Sequence, residues 1–218
     1  MQKRLLILVT LIFPLLLLST AQSLAESRSG DRALRLWEQL DERKLKLRSK
    51  AALIVDHFGN TLYEREPDQP MPIASVTKLM TAMVILDTGL SLDEKIEITK
   101  ADRDLRRLTG SRLKYGARLT RGELLTLALM SSENRAAAAL GRTYPGGTEM
   151  FVKAMNRKAA ELGMHQSRFA DAAGLDAGNV ATANDLSRMV LAAMQYPEIR
   201  KATTRSKLEV RPLSLIHI

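Results

Sequence analysis

The sequence contains no cysteine, which excludes disulfides, thiolate metal sites and a cysteine nucleophile. Histidine is nearly as scarce: His57, His165 and His217 fall in three separate segments with no metal-ligand spacing. Acid–base chemistry must therefore be run by other side chains. Aromatic residues make up only 4% of the chain, so a core has to be assembled from Leu, Ala, Val, Ile and Met. No apolar run reaches the ~20 residues that a membrane-spanning helix needs. The longest, residues 5–18, holds fourteen residues and is interrupted by Thr10 and Pro14. There is no internal repeat. Although the net charge is +9, the Lys and Arg residues are scattered without aromatic interleaving. That pattern argues against nucleic acid as a partner and leaves a solvated basic surface or an anionic polymer.

In bulk the chain is ordinary for a globular protein. Its 218 residues, 45% hydrophobic and 26% charged, suffice for one domain with a proper core. Residues 1–25 read as a secretory signal: Lys3 and Arg4, then the apolar stretch, then Ser23-Leu24-Ala25 as a small-x-small cleavage site before Glu26. This predicts an exported, periplasmic protein with no stable membrane anchor. Residues 26–50 form a charged leader with Leu34, Trp37, Leu40 and Leu45 at near-helical spacing. From Ala51 the pattern changes to a hairpin, with a strand over 51–55, a turn over 57–60 and a second strand from Thr61. A helix buried on most sides is expected from Ser75 to Leu86, stopped by Gly89. Thr120 with Glu123 is a capping box for a second helix ending at Ser131. Further helices are expected over Asn134–Arg142, Thr148–Leu162 and from Thr182-x-x-Asp185 to about Gln195. One hairpin and many helices make the class α+β.

Ser75 and Lys78 stand three residues apart at the head of the buried helix, so their side chains share one face. A serine hydroxyl is a weak nucleophile and needs a base beside it. A lysine surrounded by Leu, Met and Val is desolvated, which disfavours its charged form and lets it accept the serine's proton near neutral pH. The N–H groups at the helix start favour the negative oxygen that develops on an attacked carbonyl. Alone, the pair is also explained by a capping serine and a snorkelling lysine. Ser111-Arg-Leu-Lys114 repeats the spacing, but Tyr115-Gly116 follows it instead of an apolar helix, so Lys114 is expected in water. Ser132-Glu-Asn134, at the junction of two helices 57 residues beyond Ser75, adds a hydroxyl that can pass protons and an amide that can hold a substrate carbonyl. The two motifs in this order are hard to explain as helix caps.

These are the first two of the three motifs of the penicillin-recognising serine enzymes, the β-lactamases and penicillin-binding proteins. Pro72-Ile-Ala-Ser75-Val-Thr-Lys78-Leu-Met-Thr-Ala-Met-Val84 resembles the low-molecular-mass D-alanyl-D-alanine carboxypeptidases and endopeptidases. Leu127-Ala-Leu-Met-Ser-Ser132-Glu-Asn134-Arg-Ala-Ala-Ala is most similar to the endopeptidase branch, as are Tyr144-Pro-Gly-Gly147, Ala154-Met-Asn156 and Leu162-Gly-Met164. The resemblance implies a serine β-lactamase/DD-peptidase-like fold and hydrolysis of D-Ala-containing peptidoglycan peptides through an acyl-enzyme on Ser75. Lys78 would take the proton, Ser132 would relay it to the leaving amine, and Asn134 would hold the substrate amide. β-Lactams would trap the acyl stage. No metal or organic cofactor is implied.

The family's third motif, Lys-Thr-Gly, is expected after Ser-x-Asn, and none follows Asn134. Leu108-Thr-Gly110 and Lys114-Tyr-Gly116 precede Ser132. Residues 51–212 are accordingly expected to be a catalytic domain incomplete at its C-terminus, inactive as written. Residues 213–218, Leu-Ser-Leu-Ile-His-Ile, match an in-frame translation of a common transposon sequencing adapter and are expected to be an artefact. Two alternatives stand beside the peptidase. A class A β-lactamase would need Glu149, Glu161 or Asp171 to activate the deacylating water, although each reads as surface. A non-catalytic wall-binding protein could keep the same fold.

Overall fold

The structure, a computed structural model, describes residues 47–56 and 59–210. The signal segment 1–25, the leader up to residue 46, His57 and Phe58 of the first turn and the adapter-like end 213–218 lie outside the described residues.

The expected hairpin is present. β1 (Ala52–Val55) runs antiparallel to β2 (Thr61–Arg65), with Ala52 opposite Arg65 and Ile54 opposite Tyr63. Its turn is tied by the Asp56 carboxylate, which accepts from the backbone N–H and from Nδ2 of Asn60, both at 2.8 Å. Two shorter ribbons were not expected. β3 (Met71–Pro72) pairs with β6 (Val180–Ala181), and β4 (Lys95–Glu97) with β5 (Arg118–Thr120). Strands of two or three residues carry no readable alternation, and Pro72 argues against a strand at all.

The helices follow the expected stops and starts. α1 (Thr77–Asp87) begins two residues later than expected, because Ser75 sits in a 3-10 turn over Ala74–Val76 that leads into it. Gly89, at φ +66°, ends it. α2 (Arg121–Met130) opens on the Thr120–Glu123 box: Glu123 N–H donates to Thr120 Oγ1 at 3.0 Å and Thr120 N–H to Glu123 Oε2 at 2.7 Å. α3 spans Asn134–Arg142 and α4 Gly147–Glu161. In α5 (Ala183–Ala193) the Asp185 N–H donates to Thr182 Oγ1 at 3.0 Å. α6 (Pro197–Thr203) was not expected; it starts on a proline, whose missing N–H and fixed φ suit a first helical position.

α1 is the centre of the packing, in contact with α2, α3, α4, α5 and α6. Met80, Thr81, Ala82, Met83, Val84 and Ile85 are all buried. Withdrawing each of Met80, Met83 and Ile85 from water contributes about 1.5–3 kcal/mol. Aromatics being few, Phe151 and Phe169 are the most deeply buried rings among the described residues, and Tyr144 meets Phe151 edge-on at 5.3 Å. A helix held on so many sides cannot shift its first turn easily; that turn carries Lys78 and is entered directly from the 3-10 turn that carries Ser75. Among the described residues no helix is long and apolar enough to cross a membrane.

Candidate active site

The head of α1 is shaped by two backbone conformations outside the usual regions. Ala74 has φ +45° and Gly174 has φ +78°. The loop that carries Gly174 presses on the 3-10 turn so closely that a Cβ there would lie 1.8 Å from the Ala74 carbonyl oxygen. Only glycine fits both the positive φ and that approach. The Asp171 carboxylate holds this loop in place, accepting from the backbone N–H of Ala173 at 2.8 Å, Gly174 at 2.5 Å and Asp176 at 2.6 Å.

Ser75 is exposed, whereas Lys78, one turn further into the helix, is only 2% exposed. Lys78 Nζ donates to Ser75 Oγ at 3.0 Å, to Asn134 Oδ1 at 2.8 Å and to the Ala173 carbonyl at 2.7 Å. Its whole donor set is engaged. Burial lowers its pKa from 10.5 to about 8, with the Asp171 and Glu133 carboxylates pulling the other way. Near that pH about half of the amine is neutral, and a neutral Nζ can accept the proton of the hydroxyl it touches.

Ser132 lies between α2 and α3 at φ +56°, a left-handed conformation that a residue with a side chain adopts at a cost. That bend turns its hydroxyl onto Ser75, and Ser132 Oγ donates to Ser75 Oγ at 2.8 Å. Asn134 is the first residue of α3. Its Oδ1 faces Lys78, and its Nδ2 donates to Thr109 Oγ1 at 2.9 Å. The four side chains singled out from the sequence, Ser75, Lys78, Ser132 and Asn134, therefore stand in one hydrogen-bonded cluster built from two segments.

Other side chains are placed apart from it. Lys114 of the second Ser-x-x-Lys is exposed, and Ser111 bonds its own loop at Leu113. Glu149 pairs with Lys153 at 2.6 Å on an exposed helix face, and Glu161 is exposed. Asp171 is not the surface residue its sequence context suggests: its oxygens are taken up by the loop N–H groups. Of the histidines, His165 is exposed, and His57 and His217 lie outside the described residues. Among the described residues no group of His, Asp or Glu could hold a metal ion.

Sequence reasoning missed Ala173, Gly174, Thr109 and Asp104, and weighed Asp171 only as a surface carboxylate, not as the residue that holds this loop. The only signal was Leu108-Thr-Gly110, noted there as a third motif in the wrong order.

Residues 38–213 match the family described as D-alanyl-D-alanine carboxypeptidase. The chain is 46% identical over 205 residues to a D-alanyl-D-alanine endopeptidase of Pseudomonas aeruginosa, covering 94% of this chain and 63% of that protein. It is 46% identical over 157 residues to a D-alanyl-D-alanine endopeptidase of Escherichia coli, covering 72% of this chain and 51% of that one. The chain thus spans about half to two thirds of the length of these curated relatives. Among solved structures, a penicillin-binding protein of Listeria monocytogenes in its cefotaxime-bound form superposes with a TM-score of 0.68 at 31% identity, over 77% of this chain and 70% of that one. The resemblance in motifs, the α+β architecture and these matches agree, and the chain belongs to the D-alanyl-D-alanine carboxypeptidase family.

Proposed function

We propose that this chain is the serine peptidase module of an exported, periplasmic D-Ala-D-Ala peptidase that remodels the cell wall by cutting peptidoglycan peptides. The observation that carries the reading is a buried lysine amine, its pKa lowered by burial, within 3.0 Å of an exposed serine hydroxyl. Ser75 Oγ attacks the carbonyl of a D-Ala residue as Lys78 Nζ accepts its proton. The Ser75 N–H, at the head of the helix, donates to the carbonyl oxygen as it becomes negative. The C–N bond then breaks, and the proton passes from Lys78 by way of Ser132 to the leaving amine. Asn134 gives one Nδ2 hydrogen to Thr109 and has the other for a substrate carbonyl. Water attacks the ester, regenerates Ser75 and releases a carboxylate. A β-lactam would stop at the ester stage.

Cleavage of cross-links, as opposed to trimming of terminal D-Ala, is supported by the names of the two relatives at 46% identity. A class A β-lactamase activity has less support, since Glu149 and Glu161 lie on exposed helix surface and the Asp171 oxygens are committed to backbone. The test uses protein carrying the complete reading frame of its gene, with fluorescent penicillin and with cross-linked muropeptides. Labelling at Ser75 and conversion of dimers to monomers are expected. Labelling that persists in Ser75→Ala would refute the assignment, release of D-Ala alone would indicate a carboxypeptidase, and rapid penicillin turnover would indicate a β-lactamase.

A further inference from the structure

We propose that Thr109 and Asp104 are positioning residues for this site, a relay on the loop before β5 that fixes which end of the Asn134 amide faces Lys78. The inference rests on the proposed roles of Ser75 and Lys78. Asp104 is 6% exposed. Its Oδ1 accepts from the N–H groups of Arg106 and Arg107, both at 2.9 Å; its Oδ2 accepts from Thr109 N–H at 2.9 Å and Thr109 Oγ1 at 2.7 Å. Burial opposes its charge, but these hydrogen bonds outweigh burial and hold the carboxyl well below the usual carboxylate range.

The chain of donors and acceptors then has one solution. An ionised carboxylate only accepts, so the single Thr109 hydroxyl proton is committed to Asp104. Thr109 Oγ1 can meet Asn134 only as an acceptor. The nitrogen end of the amide must therefore face Thr109, and the oxygen end is left for Lys78. An amide turned by half a revolution would aim N–H donors at the amine. That removes an acceptor from the ammonium form and offers a donor to the neutral form, so the pKa of Lys78 would fall. The relay thus supports the ammonium that Lys78 becomes when it holds the serine's proton. The other charged groups that act on Lys78 are Asp171, on the loop after α4, and Glu133, at the head of α3.

The loop does not depend on this relay to stay folded. At its base Asp102 is held by Arg142 at 2.8 and 3.0 Å, and further on Arg106 pairs with Asp176 at 2.6 Å. Thr109 itself is exposed. Its substitution therefore separates positioning from packing.

The test measures the rate of acylation by fluorescent penicillin against pH in protein carrying the complete reading frame of its gene. Thr109→Val and Asp104→Asn are expected to lower the rate about tenfold, the loss of one charge-assisted hydrogen bond. Their acid limb should move to lower pH than that of the unaltered protein. Thr109→Ser, which keeps the hydroxyl, should retain both rate and limb. The inference is overturned if Thr109→Val keeps the original rate and limb, or if Thr109→Ser is as impaired as Thr109→Val. Ser75→Ala, run alongside, separates the two levels: persistent labelling there defeats the proposed function, whatever the relay variants do.

Discussion

Gly174→Ala should be far more damaging than its chemistry suggests, because the added methyl meets backbone and not a side chain that can move away. Two costs combine. The residue sits at φ +78°, where an alanine is disfavoured by about 1–2 kcal/mol. Its Cβ would also lie 1.8 Å from the Ala74 oxygen and 2.4 Å from the Ala74 carbonyl carbon, so the loop or the turn must move by more than an ångström. Displacing either breaks the Lys78–Ala173 bond or misaligns Ser75. We expect about 3–5 kcal/mol in total, the range seen when a buried arrangement cannot relax. For a domain of this size that lowers the melting temperature by roughly 6–20 °C. Misplacing Ser75, the proposed nucleophile, by about 1 Å should slow acylation by ~100-fold. Gly116→Ala is the matched control, since it has φ +83° with nothing within 4 Å of the added carbon. It should show only the conformational cost of about 1–2 kcal/mol and no loss of acylation. Calorimetric melts and penicillin labelling of both variants decide the matter. Equal melting shifts, with acylation intact in Gly174→Ala, would refute the close-approach argument.

Two further outcomes follow from the same geometry. Ser132→Gly removes the hydroxyl on Ser75 but relieves the φ +56° backbone; it should gain about 0.5–1 kcal/mol in urea denaturation while acylation falls ~100-fold. A loss of stability in that variant would show that the bend is not strained. Asp102, 1% exposed and paired with the partly exposed Arg142, anchors the loop that carries Asp104 and Thr109; Asp102→Ala should cost about 1.5–3 kcal/mol by removing the charge-assisted hydrogen bonds from Arg142, and denaturation at the parent midpoint would contradict this.

How legible these features were depended on sequence distance. Ser75 and Lys78 could be paired from the sequence because one helical turn joins them, and the Thr120–Glu123 box because a cap is equally local. Ser132 and Asn134 were legible as chemistry from their place at the junction of two helices and from family resemblance, but the strained backbone was not: a serine at φ +56° leaves no mark in composition. Ala173 lies 95 residues from the lysine it binds, and its loop has no periodicity to announce it. Asp104 and Thr109 sit among Arg103, Arg106, Arg107 and Arg112, so the stretch reads as a solvated basic loop until Asp104 is seen turned inward. α6 escaped because seven residues behind a proline give too few turns to establish a period, although Pro197 is itself a start signal.

In the proposed mechanism, burial makes Lys78 a base for Ser75 near neutral pH. Only the neutral amine can take the proton, so the rate must rise with pH through the pKa of Lys78. The direct measurement is the pH dependence of Ser75 acylation by a penicillin, with the adduct located by peptide mapping. A half-rise near pH 8, matching the pKa lowered to about 8, is the expected result. A half-rise near 10.5, the ordinary value for a lysine in water, would contradict it.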